Sequence, residues 1–310
     1  MIYGGSIMTE YTFLSENGDN QIHCYEWAPE GQPVAILQLV HGMAEHVGRY
    51  ADFAEYMAKQ GVVVAGNDHI GHGKSSDSND WGYLGPKNLW QDVVEDVQKL
   101  RKLLDKKYPG VPHFILGHSM GSFITRIFLA RYGQGLKGAI VMGTAGENKA
   151  AGAGSALVSM IIRFKGERHI SKLITKMAFG NYLDRIPNAR TPYDWLSRDE
   201  AMVDKYMADP ACGFLFTAAG YADLFEFLKS MTKEECYSHT VKDIPIFVVA
   251  GEEDPVGAYG AGPKEYYERL KEHGCDASIK LYPGMRHEIL NEIGKEEVYE
   301  DMKNFVLGNL

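Results

Sequence analysis

The sequence predicts one α/β core with a mostly parallel, twisted β-sheet flanked by helices, interrupted by an all-helical insertion. Up to about residue 145, apolar runs of strand length alternate with segments of helix length. Between residues 146 and 239 only helical patterns occur, and the alternation resumes from residue 240. Strands that alternate with helices form parallel sheets covered on both faces. We therefore assign 1–145 and 240–310 to the core and 146–239 to the insertion.

The elements of the first core segment follow from their apolar spacing. A buried strand, "VAILQLVHG", is followed by a helix over 49–61, and the β-branched "VVVAGN" then runs into a glycine-rich loop. The amphipathic "NLWQDVVEDVQKLRKLLDKKYPG" ends in lysines and Pro-Gly, as a helix C-terminus does. The strand "HFILGHS", the helix "FITRIFLARYG" and the strand "LKGAIVMGTAG" complete this segment.

The insertion and the second core segment differ in pattern. The insertion contains the helical stretches "GSALVSMIIRFKG", "SKLITKMAFG", "SRDEAMVDKYMADP" and "TAAGYADLFEFLKSM". In the core, "IPIFVVAGEEDP" and "ASIKLYPGMRHE" are strands, and each is followed by a helix. Trp195 and the aromatic residues of "AGYADLFEF" fit the core of the insertion or the wall of a pocket equally well.

Composition excludes several classes of function. The formal net charge of −9 argues against nucleic acid as a partner, because phosphate binding requires a basic surface. Four scattered cysteines indicate reduced thiols and not a disulfide framework or a zinc site. No signal-peptide pattern and no apolar run of membrane-spanning length is visible. We expect a cytoplasmic protein, and the role of residues 1–7 stays open.

Ser119 is the candidate nucleophile. It lies in Gly117-His118-Ser119-Met120-Gly121, between a predicted strand and a predicted helix, which is the context that gives G-x-S-x-G its meaning. Asp254 and His287 each follow one of the next predicted strands, so all three residues meet at the carboxyl edge of the sheet. A serine nucleophile requires such a base and a group that orients it.

The oxyanion of the tetrahedral intermediate requires two fixed N–H donors. Met120 follows the nucleophile directly, and Met43 follows His41-Gly42 at the end of an early strand. We expect the backbone N–H groups of Met43 and Met120 to form this oxyanion hole. A simple turn at the end of the strand is the alternative interpretation of His41-Gly42.

Five segments carry a resemblance to a known family: "HGMAEHVGRY", "NDHIGHGKS", "GHSMGS", "GEEDPVG" and "RHEILNE". They resemble the monoacylglycerol lipase and lysophospholipase-like branch of the α/β-hydrolases, which is related to the serine aminopeptidases. The resemblance implies the α/β-hydrolase fold, the triad Ser119, Asp254 and His287, and oxyanion amides at Met43 and Met120. It also implies that the insertion is a helical cap and that a monoacylglycerol or lysophospholipid is cleaved through an acyl-enzyme on Ser119.

Other interpretations stay open at this point. An aminopeptidase-type peptidase or a non-catalytic ligand-binding module could use the same fold. We predict no cofactor and no metal, although Asp68, His69 and His72 invite a metal interpretation, because they lack the spacing of a known zinc site. "GHGKS" is not a phosphate-binding loop. Such a loop requires a glycine five positions before Gly73, and that position is occupied by Asp68. The expected partner is a small ester or lipid, with at most transient membrane contact through the cap and an oligomeric state left open.

Overall fold

A computed structural model describes residues 2–3, 6–86, 89–147 and 151–310. Within these ranges the core is one nine-stranded sheet in the order β1-β2-β3-β5-β4-β6-β7-β8-β9. Its strands are β1 (Ile2–Tyr3), β2 (Ser6–Leu14), β3 (Gln21–Pro29), β4 (Ala35–Val40), β5 (Val62–Asn67), β6 (His113–His118), β7 (Gly138–Met142), β8 (Ile246–Gly251) and β9 (Ala277–Tyr282). The six strands β5, β4, β6, β7, β8 and β9 are parallel. β3 pairs with β5 in antiparallel orientation, and β2 and β1 continue the sheet from β3, also in antiparallel orientation.

Helices cover both faces of the sheet. They are α1 (Ala51–Ala58), α2 (Trp90–Lys107), α3 (Met120–Tyr132), α4 (Ala151–Lys165), α5 (Lys172–Phe179), α6 (Glu200–Ala208), α7 (Ala218–Met231), α8 (Glu234–His239), α9 (Ala261–Glu272) and α10 (Lys295–Gly308). On one face, Phe53 of α1 and Met302 of α10 share one apolar cluster with Leu116 of β6. On the other face, α2, α3, α7 and α9 share a single apolar cluster with the sheet. The predicted fold class is confirmed.

The stretch between β7 and β8 corresponds to the segment for which the sequence predicts an insertion. The described residues there form α4 to α8 and contain no strand. The boundaries at 145/146 and 239/240 stay a prediction. None of the helices in the described part of the chain is long and apolar enough to cross a bilayer. The four cysteines, Cys24, Cys212, Cys236 and Cys275, are unpaired.

The antiparallel strands β1 to β3 are not predicted from the sequence. Ile7, in the segment 1–7 whose role the sequence leaves open, pairs with Ala28 of β3. β2 lies toward the sheet edge, and most of its side chains are at least partly exposed. Its apolar pattern is therefore too weak to predict a strand, because one-sided burial is the main signal of a strand in sequence.

Candidate active site

Ser119 occupies a strained turn between β6 and α3. Its backbone has φ 55° and ψ −122°, a region that non-glycine residues rarely adopt. The N–H group of Ser119 donates to the carbonyl oxygen of Met142 on β7, at 3.0 Å, which holds the turn against the neighbouring strand. The chain therefore presents Ser119 at the carboxyl edge of the sheet.

The two glycines of the motif are required by close packing. A Cβ on Gly121 would lie 1.9 Å from the carbonyl oxygen of Val40, and one on Gly117 would lie 2.2 Å from Oγ1 of Thr125. Both distances are far below van der Waals contact. The Gly-x-Ser-x-Gly spacing is thus a direct consequence of how β4, β6 and α3 meet beneath Ser119.

His287 and Asp254 are brought together by the ends of β8 and β9. Nδ1 of His287 lies 2.9 Å from Oδ1 of Asp254, and both side chains are buried. The same carboxylate oxygen accepts a hydrogen bond from the backbone N–H of Val256 at 2.9 Å, which fixes its orientation. Ser119 and His287 both line one cavity. An imidazole held in this way can accept a proton from a serine hydroxyl.

The loop after β4 packs directly on the serine. A Cβ on Gly42 would lie 2.8 Å from Oε1 of Glu45 and 3.1 Å from Cβ of Ser119, so glycine leaves room for this close approach. Met43 and Met120 line the same cavity as Ser119. Met120 is the first residue of α3, so its N–H group has no acceptor within the helix. Both predicted oxyanion donors therefore belong to segments that flank the nucleophile.

A buried charge network behind this loop was not found by sequence reasoning. Oε1 of Glu45 accepts hydrogen bonds from the N–H of Gly42 at 2.6 Å and from the hydroxyl of Tyr50 at 2.8 Å. Arg49 donates to Oε2 of Glu45 at 2.7 Å and to both carboxylate oxygens of Glu288 at 2.6 and 2.7 Å. The network links the loop that contains Gly42 and Met43 to Glu288, the residue that follows His287. Its residues lie in "HGMAEHVGRY" and "RHEILNE", but their pairing spans 239 positions.

Opposing charges set the protonation of this network. Burial opposes ionisation of Glu45, but the hydrogen bond from His118 and the charge of Arg49 outweigh burial and hold the pKa of Glu45 well below its usual range. Burial likewise disfavours the charged guanidinium, yet the two carboxylates raise the pKa of Arg49 well above its usual value. Glu45 and Arg49 are therefore both charged at neutral pH.

The imidazole ring of His287 is packed between two other rings. The ring centroid of His118 lies 4.7 Å away and that of Trp195 lies 5.2 Å away. The chain around Trp195 also holds the histidine loop, since His287 and Glu288 donate backbone hydrogen bonds to the carbonyl oxygens of Trp195 and Leu196, at 3.4 and 2.7 Å. The insertion thus supports the loop that carries His287 directly.

The cavity in front of Ser119 has a volume of about 550 Å³ and a mostly apolar wall. Residues from α5, α7 and the loops of the insertion supply most of this wall, including Met177, Phe179, Leu183, Phe214, Leu215, Tyr221, Leu224, Phe225 and Leu228. The aromatic stretch of α7 serves both predicted roles, because Tyr221 and Phe225 line the cavity while Phe227 is buried in the core. A cavity of this size and character suits an aliphatic chain.

The histidines near Asp68 form hydrogen bonds that stabilise the core, and they do not form a set of metal ligands. The N–H of His69 donates to Nε2 of His41 at 2.9 Å, and Asp68 accepts from the N–H groups of Val47 and Lys74, both at 2.9 Å. Burial lowers the pKa of His69 to about 3 and that of His72 to about 4, so both rings stay neutral.

A different group of side chains meets metal-ligand spacing in the described part of the chain. His46, Asp209 and Cys212 have their potential ligand atoms within 4.8 Å of one another. In the structure Nε2 of His46 and Oδ2 of Asp209 form a contact of 2.9 Å that joins the loop after β4 to the insertion. This contact is a hydrogen-bonded link between two loops.

Comparison with known proteins places these features in a family. Residues 31–294 match the family described as "Serine aminopeptidase, S33". The chain is 30% identical to a monoacylglycerol lipase of Mycolicibacterium smegmatis over 98% of this chain and 99% of the relative. It is 28% identical to the human monoglyceride lipase over 89% of this chain and 83% of the relative.

The solved structures agree with this relationship. A thermostable carboxyl esterase from Bacillus coagulans, solved with glycerol, superposes with a TM-score of 0.92 at 33% identity, covering 97% of this chain and 98% of the esterase. A monoglyceride lipase from Saccharomyces cerevisiae superposes with a TM-score of 0.75 at 18% identity, covering 98% of this chain and 95% of the lipase, and at that identity it supports the fold alone. The chain belongs to the serine aminopeptidase S33 family of α/β-hydrolases, in its monoacylglycerol lipase-like branch.

Proposed function

We propose that the protein hydrolyses monoacylglycerols through an acyl-enzyme on Ser119. One observation carries the proposal. A serine on a strained turn and a histidine hydrogen-bonded to a buried aspartate, with Nδ1 2.9 Å from the carboxylate, both open onto one apolar cavity of about 550 Å³. Carboxylic ester hydrolysis is the activity of the related lipases and esterases by name. The triad and the oxyanion residues are our assignment for this chain.

The chemistry follows from these positions. His287 takes the hydroxyl proton of Ser119 as Oγ attacks the acyl carbon, and Asp254 keeps the imidazole in the required tautomer. The N–H groups of Met43 and Met120 stabilise the oxyanion that develops on the carbonyl oxygen. His287 then protonates the departing alcohol. Water activated by the same imidazole hydrolyses the acyl-enzyme and restores Ser119.

The charge near the cavity favours a neutral ester over a lysophospholipid. The residues at its polar side include Glu45, Glu288, Tyr193 and Tyr206. The single guanidinium beside these carboxylates, that of Arg49, is already paired with both of them. A phosphate group at this side of the cavity would therefore meet two carboxylates whose guanidinium partner is already paired, and Lys176 of α5 is the one lysine or arginine in the described lining. Glycerol hydroxyls can donate to carboxylate oxygens. The two carboxylates in the described lining, those of Glu45 and Glu288, are both ion-paired with Arg49, which weakens the aminopeptidase alternative.

The exposed surface of the insertion supports transient contact with lipid. Phe164 on α4 is 77% exposed, and Leu173 and Met177 on α5 are 56% and 58% exposed. Lys172 and Lys176 lie on the same helix. Met177 also lines the cavity, so the apolar surface continues into the site where the acyl chain would bind. We propose that this surface touches lipid aggregates during substrate uptake. A cytoplasmic location stays a prediction from the sequence.

The test is a substrate series with a matched serine control. We expect kcat/KM for p-nitrophenyl esters to rise about fourfold per added CH₂ until the cavity is filled, since each buried methylene contributes about 0.8 kcal/mol. Monoacylglycerol should be cleaved and lysophosphatidylcholine cleaved more slowly. Ser119→Ala should reduce kcat by roughly 10⁴- to 10⁶-fold. Ser159→Ala, an exposed serine of α4, should have no effect.

Three outcomes would refute parts of this proposal. A preference for an alanyl-anilide over every ester would assign the site to a peptidase. Activity of Ser119→Ala within tenfold of wild type would remove this residue from the mechanism. Failure of a fluorophosphonate to label Ser119, together with no turnover of any ester, would favour a ligand-binding module without catalysis.

A further inference from the structure

His118, the variable residue before Ser119, is surrounded by hydrogen-bond acceptors. Its Nδ1 lies 3.2 Å from Oε1 of Glu45 and 3.1 Å from the hydroxyl oxygen of Tyr50. The hydrogen of that hydroxyl points to Glu45, because Tyr50 donates to the carboxylate at 2.8 Å. On the other side of the ring, Nε2 of His118 lies 3.4 Å from the carbonyl oxygen of His287. A neutral imidazole has one donor, whereas an imidazolium has two and satisfies acceptors on both sides.

The electrostatics of the buried site agree with this geometry. Burial lowers the pKa of an imidazole, but the hydrogen bond and the charge of Glu45 outweigh burial and raise the pKa of His118 above its usual value. Both side chains are almost fully buried, so solvent screens their interaction weakly. The titratable or charged groups that face this pair in the described part of the chain are His41, Arg49, Tyr50, Asp254, His287 and Glu288.

The position of the pair relative to His287 gives it a role. The rings of His118 and His287 are 4.7 Å apart, whereas the carboxylate of Glu45 is hydrogen-bonded to His118. The positive end of the pair is therefore the one in contact with the catalytic base. A fixed positive charge beside an imidazole disfavours a second proton there. The charge of His118 therefore acts on the ring that must accept the serine proton.

We propose that Glu45 and His118 form a buried ion pair that positions His287 as the general base and places a positive charge beside its ring. The role of the pair depends on the proposed function, in which His287 is the general base. Glu45 and His118 are positioning residues, because they act through His287 and the loop of Gly42. The pair is part of neither the triad nor the oxyanion hole.

The first test is the pH dependence of kcat/KM for the variant Glu45→Gln. Glutamine keeps an oxygen that can accept from Gly42 and Tyr50, but it removes the charge that maintains the imidazolium. We expect the acidic limb of the profile to move to higher pH by about one unit. His118→Gln should move it by a similar amount, and the double variant should add little to either single variant, because both remove the same pair.

A matched control separates tuning of the base from loss of stability. Glu26 is also almost fully buried and accepts hydrogen bonds from Lys107 and Tyr108, at 2.7 and 2.6 Å, on a strand outside the site. Glu26→Gln should lower Tm and leave the acidic limb in place. If Glu45→Gln lowers kcat/KM by one factor at every pH and does not move the limb, its role is structural and the proposal is wrong.

The second test observes the charge of His118 directly. With ¹⁵N-labelled histidine, NMR spectra of the Ser119→Ala protein should show both ring nitrogens of His118 protonated at pH 7, and a neutral ring after Glu45→Gln is added. A neutral His118 in the Ser119→Ala parent would overturn the proposal. This readout does not require turnover, so it decides the charge of the pair even if no ester proves to be a substrate.

Discussion

Replacing Arg49 by methionine should remove the cation that Glu45 and Glu288 share and leave Glu45 with His118 alone. Their side chains are 4% and 5% exposed, and that of Arg49 is 10% exposed. Removing one partner of a buried ion pair costs about 3–5 kcal/mol, because it leaves an uncompensated charge in the interior. Arg49→Met retains most of the side-chain volume, so the loss measures the charge and its hydrogen bonds.

The expected change in Tm follows from chain length. Unfolding entropy of about 2.1 cal/mol/K per residue gives about 0.65 kcal/mol per degree for 310 residues. A loss of about 4 kcal/mol therefore lowers Tm by about 6 °C. Differential scanning calorimetry of wild type and Arg49→Met at pH 7.5 measures this shift. Arg190→Met is the control, since Arg190 pairs with Asp204 at 2.7 Å on the exposed surface, where such pairs contribute little.

The pH dependence of the same shift provides the refutation. The folded-state pKa of Glu45 is lowered, so its contribution is present above its unfolded-state pKa and is lost as pH falls through the folded-state value. In Arg49→Met the carboxylate of Glu45 can take up a proton more easily. We therefore expect the difference in Tm between variant and wild type to become smaller as the pH is lowered from 7.5 to 5. A difference that is equal at both values, or a shift no larger than that of Arg190→Met, would refute the reasoning.

Three further predictions address the active site. Asp254→Asn should lower kcat by roughly 10⁴-fold with little change in Tm, because it permits the wrong histidine tautomer; steady-state kinetics with calorimetry checks this. Gly121→Ala should yield little folded protein or a strongly reduced Tm, since its Cβ would lie 1.9 Å from the carbonyl oxygen of Val40, and a wild-type Tm would contradict that packing. Dialysis against a chelator should leave ester hydrolysis unchanged, because the proposed mechanism uses side chains and backbone amides alone; a loss restored by Zn²⁺ would show a metal requirement.

The alternation of strands and helices predicts the parallel sheet and the positions of Ser119, Asp254 and His287 at strand ends. These predictions depend on local apolar runs, which a single sequence displays. The pairing of Glu45, Arg49 and Glu288 is not local, and several acidic residues in each segment could equally be exposed. Nothing in the sequence selects these three until the loops after β4 and β9 are placed side by side.

The insertion illustrates a second limit. Helical spacing predicts α4 to α7 but not the short α8, and it does not state where the loops between the helices lie. Trp195 is in such a loop, so the sequence does not decide whether its side chain lies in the core of the insertion or in the wall of the pocket. In the structure it packs on His287, a contact created by the path of the loop and not by a helical face.

The attachment of the Trp195 segment to the histidine loop constrains any engineering by exchange of caps. Arg286 donates to the carbonyl oxygens of Asp194 and Ser197, and the guanidinium of Arg198 lies 2.9 Å from Glu292. A chimera that imports residues 146–239 from a homologue would remove one side of all these contacts along with the pocket wall. Grafts that end before residue 193 and resume after residue 198 would exchange the acyl-binding wall and leave the support of the catalytic base intact.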